Sequence, residues 1–367
     1  MKIKCNRAAL HEAVQLASSI VLMRTPKPIL QCARIDADQD NQSLTVMATD
    51  NDITITYVIK QVQIESAGCT VIPADRIAGI LHESKDDTVE LRVENATCHV
   101  LGKNSRFRIY GHDPDDFPIL NTPETEDILH IRADTLRRMI HMSSFAATRE
   151  SSQYAINGVL WEQHGKKLRM VATDGRRLAQ IDGPLASTNA IEWENVIVPV
   201  KVMNVMEKIL HDPDEKVKIS FAPNQISIST VAVQITANLV QGRFPKYSDV
   251  IPTGCDKKVT FNTDSFNSAV KLVSLLTNEQ SKGILLSFSS GQLCLSSSAP
   301  EAGDAEIDMP VEFDGPEFNI GFNPQYVLDM LRVVEETEIK GEFTDNTKPG
   351  LIRVGKNFLY VLMPVTV

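Results

Sequence analysis

No stretch of the 367-residue chain approaches 18 consecutive apolar residues, which excludes a membrane-spanning helix. The N-terminal MKIKCNRAALHEAV has charges interrupting each apolar stretch and no small-residue cleavage site. No signal peptide is therefore expected, and the chain is expected to be cytoplasmic. The six cysteines (Cys5, Cys32, Cys69, Cys98, Cys255 and Cys294) form no CxxC, and none has a histidine at zinc spacing. Cys98 and His99 are adjacent in an alternating stretch that points them to opposite faces. Reduced thiols and no metal are expected. Nucleotide-binding glycine loops are missing. The eight histidines are scattered, with none in a metalloprotease or nucleophile-elbow context. GHDPDDFP (111–118) is acidic but lacks the glycine and spaced ligands of a calcium loop. Asp174 in ATDGRR, which could suit a catalytic loop, has a plain reading as part of a hairpin turn. No catalytic residue and no cofactor are expected. Positive charge is also in deficit: 37 Lys and Arg against 47 Asp and Glu give −10, a poor balance for gripping nucleic acid with the whole surface.

What is present is globular: 43% hydrophobic and 23% charged residues, over a length that implies two to four domains. The chain also repeats itself. Helical patterns at 6–21, 132–147 and 262–277 each follow a short strand. Their apolar anchors are Leu10, Leu136 and Phe266, then Val14, Ile140 and Val270, spaced by 126 and 130 residues. A second helical pattern recurs at 71–84, 196–210 and 320–334, with Pro73, Pro199 and Pro324 at strand-to-helix junctions. DDFPIL (115–120) and GRFPKYSDVIP (242–252) close the first two copies, and alternating strand-like stretches fill the rest. Asn157-Gly158, Asp174-Gly175 and Ser290-Gly291 read as turns. The expected fold is α+β: three tandem copies of one module, two helices against antiparallel sheets. Its domains are expected at 1–122, 123–252 and 253–367.

Repeated modules can close into a ring, and three per chain make six in a dimer. Twelve helices lining such a ring, ~8–10 Å apart, enclose roughly 21–28 Å of free width, enough for a nucleic-acid duplex. The six helical segments carry +5, leaving −15 on the remainder of the chain. A weakly positive lining on an acidic body favours loose, salt-sensitive, sequence-independent contact with phosphates.

The threefold repeat, ATDGRRLA (172–179), GRFPKYSDVIP (242–252), GFNPQYVLDML (321–331) and the ending YVLMPV (360–365) together resemble the β subunit of bacterial DNA polymerase III, the β sliding-clamp family. The resemblance spans the whole chain. It implies a homodimeric ring around duplex DNA, a processivity factor without chemistry of its own. It also implies tethering of the polymerase III α subunit and other clamp-binding proteins, and loading by a clamp-loader ATPase. The implied partner-peptide cleft comprises Ile156, Thr173, Gly175, Arg176, Arg177, Leu178, Pro245, Val250, Asn323, Tyr326, Val361, Leu362, Met363 and Pro364. Apolar walls with a few polar groups suit a short peptide, and Met363 suits a site shared by several. The resemblance places DNA contacts at Arg24, Arg76, Arg149, Tyr154 and Lys201, and a dimer joint at Arg106, Phe107, Leu275 and Leu276. The chain departs from the usual pattern at Ala155, Arg176, Ser281 and Val365-Thr366-Val367. The alternative is a repeat-built scaffold that binds proteins without encircling DNA.

Overall fold

The structure, a computed structural model, describes residues 1–21, 24–119, 128–148, 154–186, 195–277, 283–300 and 302–366. In the first copy, β1 (Lys2–Asn6) runs into α1 (Arg7–Ser18), followed by β2 (Cys32–Asp38), β3 (Ser43–Thr49) and β4 (Ile53–Ile59). Then β5 (Val62–Ser66) and β6 (Gly68–Pro73) lead to α2 (Ala74–Glu83), and β7 (Thr88–Glu94), β8 (Thr97–Leu101) and β9 (Arg106–Tyr110) close the copy. The second begins with β10 (Ile128–Arg132), α3 (Ala133–His141), β11 (Gly158–His164), β12 (Lys167–Thr173) and β13 (Arg177–Pro184). It continues through β14 (Val196–Pro199), α4 (Val200–Ile209), β15 (Lys216–Ala222), β16 (Gln225–Ser229) and β17 (Val233–Asn238). The third begins with β18 (Lys257–Asn262), α5 (Thr263–Val273), β19 (Ile284–Ser289), β20 (Gln292–Ala299) and β21 (Gly303–Pro310). It ends with β22 (Phe318–Phe322), α6 (Pro324–Leu331), β23 (Glu338–Phe343), β24 (Gly350–Val354) and β25 (Phe358–Leu362).

Local chemistry sets the helix ends. The side chains of Asn6, Asn262 and Asn323 accept hydrogen bonds from the amides of Ala9, Ser265 and Gln325, capping α1, α5 and α6. The first helix of each copy is shorter than its apolar pattern. Ser19, Ser143 and Ser274 donate their hydroxyls back to the carbonyls of Leu16, Met139 and Lys271, and regular helix stops there. In the second and third copies a short 3-10 turn follows, at Ser144–Ala146 and Ser274–Leu276. Gly175 (φ +87°) and Gly291 (φ +73°) make the turns read from the sequence. Asn157-Gly158 does not: Gly158 begins β11, where a Cβ would meet Ile197 and the Val198 carbonyl at 2.7 Å. That glycine is required by close approach to β14 rather than by a turn.

The sheets have the orders β5-β1-β7-β8-β9, β10-β15-β16-β17-β4-β3-β2-β6, β14-β11-β12-β13-β25-β24-β23-β18 and β21-β20-β19-β22. The described residues pack as two compact units. One holds the described residues of 1–133, with 186 and 204–239; the other holds 134–185, 195–203 and 240–366. The second copy is shared between them, because strands pair across copy boundaries.

Those crossings follow one rule. In the first unit Ile235 of β17 stands opposite Ile55 of β4. In the second, Tyr360 of β25 stands opposite Ala179 of β13. Counting through the neighbouring hairpins shows these to be one position. Ile228 opposes Ile235 as Ile352 opposes Tyr360, and Ala48 opposes Ile55 as Ala172 opposes Ala179. The last strand of one copy therefore joins the third meander strand of the copy before it, in one register at both joints. By the same count Phe107, opposite Val100, is the counterpart of Ile235 and Tyr360. Ala305, opposite Ser297, is the counterpart of Ile55 and Ala179. Yet β9 and β21 are the ends of their sheets, and Phe107 is 41% exposed where Ile235 and Tyr360 are fully buried.

Candidate functional site

The residues that carry the cleft expectation meet at the second joint. The β12–β13 turn is an Asx turn: Asp174 Oδ1 accepts from the amides of Arg176 and Arg177 at 2.9 and 3.0 Å. Thr173 Oγ1 accepts from the Gly175 amide (3.0 Å) and donates to the Arg177 carbonyl (2.6 Å). The turn is locked from within, and the chain end is tied to it: the Met363 amide donates to the Arg176 carbonyl at 2.9 Å. Leu178 and Val361 face each other across the strands and enter a buried cluster with Ala155, Leu160, Val171, Ile197 and Leu351. Partly buried Phe244, Tyr247 and Ile251 pack against that cluster. Met363 (42% exposed) and Val250 (46%) keep their apolar surface in solvent, as a site for an apolar peptide side chain requires.

Arg177 ties three elements together. Its Nε donates to Asp174 (3.0 Å), Nη1 to Asp329 (2.6 Å) and Nη2 to the Phe145 carbonyl (3.0 Å). The guanidinium lies 4.6 Å from the ring centroid of Tyr326 and 5.6 Å from that of Phe145. Burial works against its charge, but Tyr360, Asp329 and Asp174 hold its pKa above the usual arginine range. Burial also drives up the pKa of Tyr360, whose hydroxyl donates to the Tyr326 carbonyl at 2.9 Å. Asp174, Asp329 and Phe145 were not among the residues expected here. The available signal was an acid inside the apolar face of GFNPQYVLDML.

The remaining cleft positions flank this core. Ile156 is buried, and Asn323 caps α6. Pro245 lines a pocket of about 440 Å³ with Phe244, Tyr247 and Glu162, while Pro364 lines a different one, also about 440 Å³, with Asn346 and Thr347. In the former, Tyr247 donates to Glu162, and burial, then that bond, push its pKa up to about 12. Arg169 holds Asp182 beside it with two bonds of 2.7 and 2.9 Å.

Of the expected DNA contacts, Arg24 and Arg76 are exposed in the first unit, Arg76 with its Nε 3.7 Å from Asp75. Tyr154 (46% exposed) and Lys201, in the first turn of α4, belong to the second unit. Arg149 and Ser281 lie outside the described residues. At the expected dimer joint, Arg106 and Phe107 lie on the sheet-end strand β9. Leu275, in the turn after α5, is 76% exposed. Among the described residues no group of His, Cys, Asp and Glu is arranged to hold a metal ion, and no helix is long and apolar enough to cross a membrane.

Repeated α+β modules joined edge to edge define a clamp-type architecture. Crystal structures of the same class align over the whole chain. The DNA polymerase III subunit beta of Pseudomonas aeruginosa gives a TM-score of 0.93 at 30% identity, each chain fully covered. The polymerase sliding clamp of Bacillus subtilis gives 0.94 at 29%, covering 100% of this chain and 99% of that one. Residues 1–121, 130–246 and 248–366 match the N-terminal, central and C-terminal domains of the DNA polymerase III beta subunit. The curated beta sliding clamp of P. aeruginosa is 30% identical over the full length of both chains; that of Chlamydia trachomatis is 29% identical, covering all of this chain and 87% of the relative. The chain belongs to the DNA polymerase III beta subunit family, the beta sliding clamps.

Proposed function

We propose that this chain dimerises head to tail into a ring that slides on duplex DNA and presents the cleft at its second joint to polymerase and other partners. It is a DNA sliding clamp, a processivity factor without catalysis of its own. The observation that carries the finer reading is the repeated joint. Two joints inside the chain share one register, and one donor edge (β9) and one acceptor edge (β21) are left over. A second copy supplies what each edge lacks, and with two chains the ring closes.

Applying the shared register to β9 and β21 sets Phe107 opposite Ala305, Arg106 opposite Glu306 and Arg108 opposite Asp304. The intramolecular joints are neutral at these places, with Thr56–Gln234 and Thr54–Thr236 in one and Gln180–Leu359 and Leu178–Val361 in the other. The third joint brings opposite charges directly across from each other, the favourable cross-strand arrangement. The helices agree. Counted from the helix starts at Ala133 and Thr263, Phe145 and Leu275 are counterparts. Phe145 packs its ring 5.6 Å from that of Tyr360. Leu275 thereby falls on Phe107 of the partner chain. Leu276 is the counterpart of Ala146, which is fully buried, and is itself half-buried, so it is turned toward its own module more than Leu275 is.

In this reading the three domains run 1–122, 123–252 and 253–367. Arg24, Arg76, Arg149, Tyr154 and Lys201 contact phosphates without reading sequence. The cleft receives the polymerase III α subunit and other clamp-binding segments, a clamp-loader ATPase opens the ring, and the protein works in the cytoplasm. A crystal structure of the P. aeruginosa sliding clamp bound to griselimycin shows that a protein of this fold takes a ligand. The test of the cleft is Met363→Ala. A labelled peptide from the polymerase III α subunit should bind at least several-fold more weakly while the dimer mass is unchanged; undiminished affinity removes the assignment.

A further inference from the structure

The proposal here rests on the cleft reading and concerns what holds one wall of the cleft in place. We propose that Asp329 is a positioning residue: it anchors Arg177 as a platform beneath the Tyr326 ring, so that the wall is set before a partner arrives.

The geometry favours this over partner binding by Arg177 itself. The guanidinium is turned into the protein, its side chain only 10% exposed. All three of its nitrogens donate within the chain, to Asp174, Asp329 and Phe145. Its face lies against the Tyr326 ring at 4.6 Å. Asp329 is fixed in turn: Oδ2 accepts from Arg177, and Oδ1 accepts from Gln325 Nε2 at 2.6 Å with Arg332 Nη1 at 3.7 Å. Asp329 and Tyr326 both stand on α6, so the pair joins the β12–β13 turn to the helix that carries the wall.

Comparison of the two joints separates this role from simple support. In the shared register the counterpart of Arg177 is Ile53, opposite Ala237 as Arg177 is opposite Leu362. The counterpart of Asp329, counted from the strand before each helix, is Val205. Ile53 and Val205 are each 2% exposed. A joint of this fold therefore closes with apolar side chains at both places. An ion pair largely withdrawn from water, its side chains 10% and 18% exposed, carries a desolvation cost that such residues avoid, and is weak grounds for stability. The charged pair stands at the joint with the cleft and not at the other. An aromatic wall already held in its bound position loses less conformational freedom on binding.

The experiment uses the full-length dimer and a labelled peptide from the polymerase III α subunit. Asp329→Asn should raise the peptide Kd roughly tenfold, a loss on the scale of one charge-assisted hydrogen bond. Asp329→Glu, which keeps the carboxylate, should recover most of the affinity. In an Arg177→Met background Asp329→Asn should cost nothing further, because Asp329 acts through Arg177. Fluorotyrosine at Tyr326, read by 19F NMR without peptide, should shift or broaden in Asp329→Asn and not in Asp329→Glu. An unchanged Kd with a lowered Tm would show a merely structural pair and overturn the proposal, as would an unperturbed Tyr326 resonance. Met363→Ala is the reference. If it weakens binding while Asp329→Asn does not, the positioning role fails and the cleft stands. If neither weakens it, both fail. Should Asp329→Asn not fold, failure of Asp329→Glu to retain both affinity and the Tyr326 resonance would likewise refute the role.

Discussion

Reversing one charge on β9 probes the register assigned to the intermolecular joint. Arg106→Glu places a glutamate opposite Glu306 of the partner. An exposed cross-strand ion pair contributes about 0.2–1 kcal/mol, and a like-charge pair in its place costs a similar amount. The reversal therefore costs about 0.5–2 kcal/mol at each joint. A twofold ring has two such joints, so the dimer loses about 1–4 kcal/mol, or roughly 5- to 1000-fold in dissociation constant. Glu306→Arg alone should weaken the dimer comparably, and the two changes together should restore it. In the isolated chain Glu306 accepts only a thiol hydrogen bond from Cys294 (3.2 Å) among its described side-chain contacts, so reversal disturbs little of the fold. Sedimentation velocity across a concentration series reads the dissociation constant. Full restoration by Arg108→Glu with Glu306→Arg, but not by Arg106→Glu with Glu306→Arg, would refute the register; no effect of either single change would refute the joint.

Other outcomes follow from the same geometry. Leu275→Ala should promote dissociation with little change in monomer stability, whereas Leu276→Ala should lower the Tm of the chain by removing half-buried surface, about 1 kcal/mol; differential scanning calorimetry beside sedimentation separates the two. Raising NaCl from about 0.15 to 1 M shortens the screening length from about 8 to 3 Å, so dimer dissociation should increase with salt while peptide binding at the neutral cleft floor changes less. Tyr247 is protonated in its bond to Glu162, with its pKa raised to about 12. Its contribution should be complete below pH about 10 and be lost as the pH rises from there toward 12. Tyr247→Phe should lack that alkaline loss, as read by Tm against pH.

The sequence made the repeat legible because each helix has to bury one apolar stripe, so Leu10, Leu136 and Phe266 and their partners recur whatever else diverges. The turns at Gly175 and Gly291 were legible because a positive φ favours glycine. Gly158 reads as a turn in the sequence because a tight approach between strands leaves the same Asn-Gly signature. The pairing of β4 with β17 and of β13 with β25 could not be read, since partners 176 to 185 residues apart leave no local pattern. For the same reason Arg177 could be placed at the cleft, but its bonds to Asp329 and Phe145 could not: they depend on which helix end meets which turn. The exposed Phe107 and Leu275 acquire their meaning only beside Tyr360 and Phe145, which fill the same places inside the chain.

The central claim is topological: the joined chains surround the duplex. Retention on DNA after loading measures it directly, using labelled protein on a closed circular duplex and on the same duplex cut once. The account predicts that the dimer stays on the circle through gel filtration and leaves the cut molecule by sliding off its ends. Equal retention on both, or equal loss from both, would contradict it.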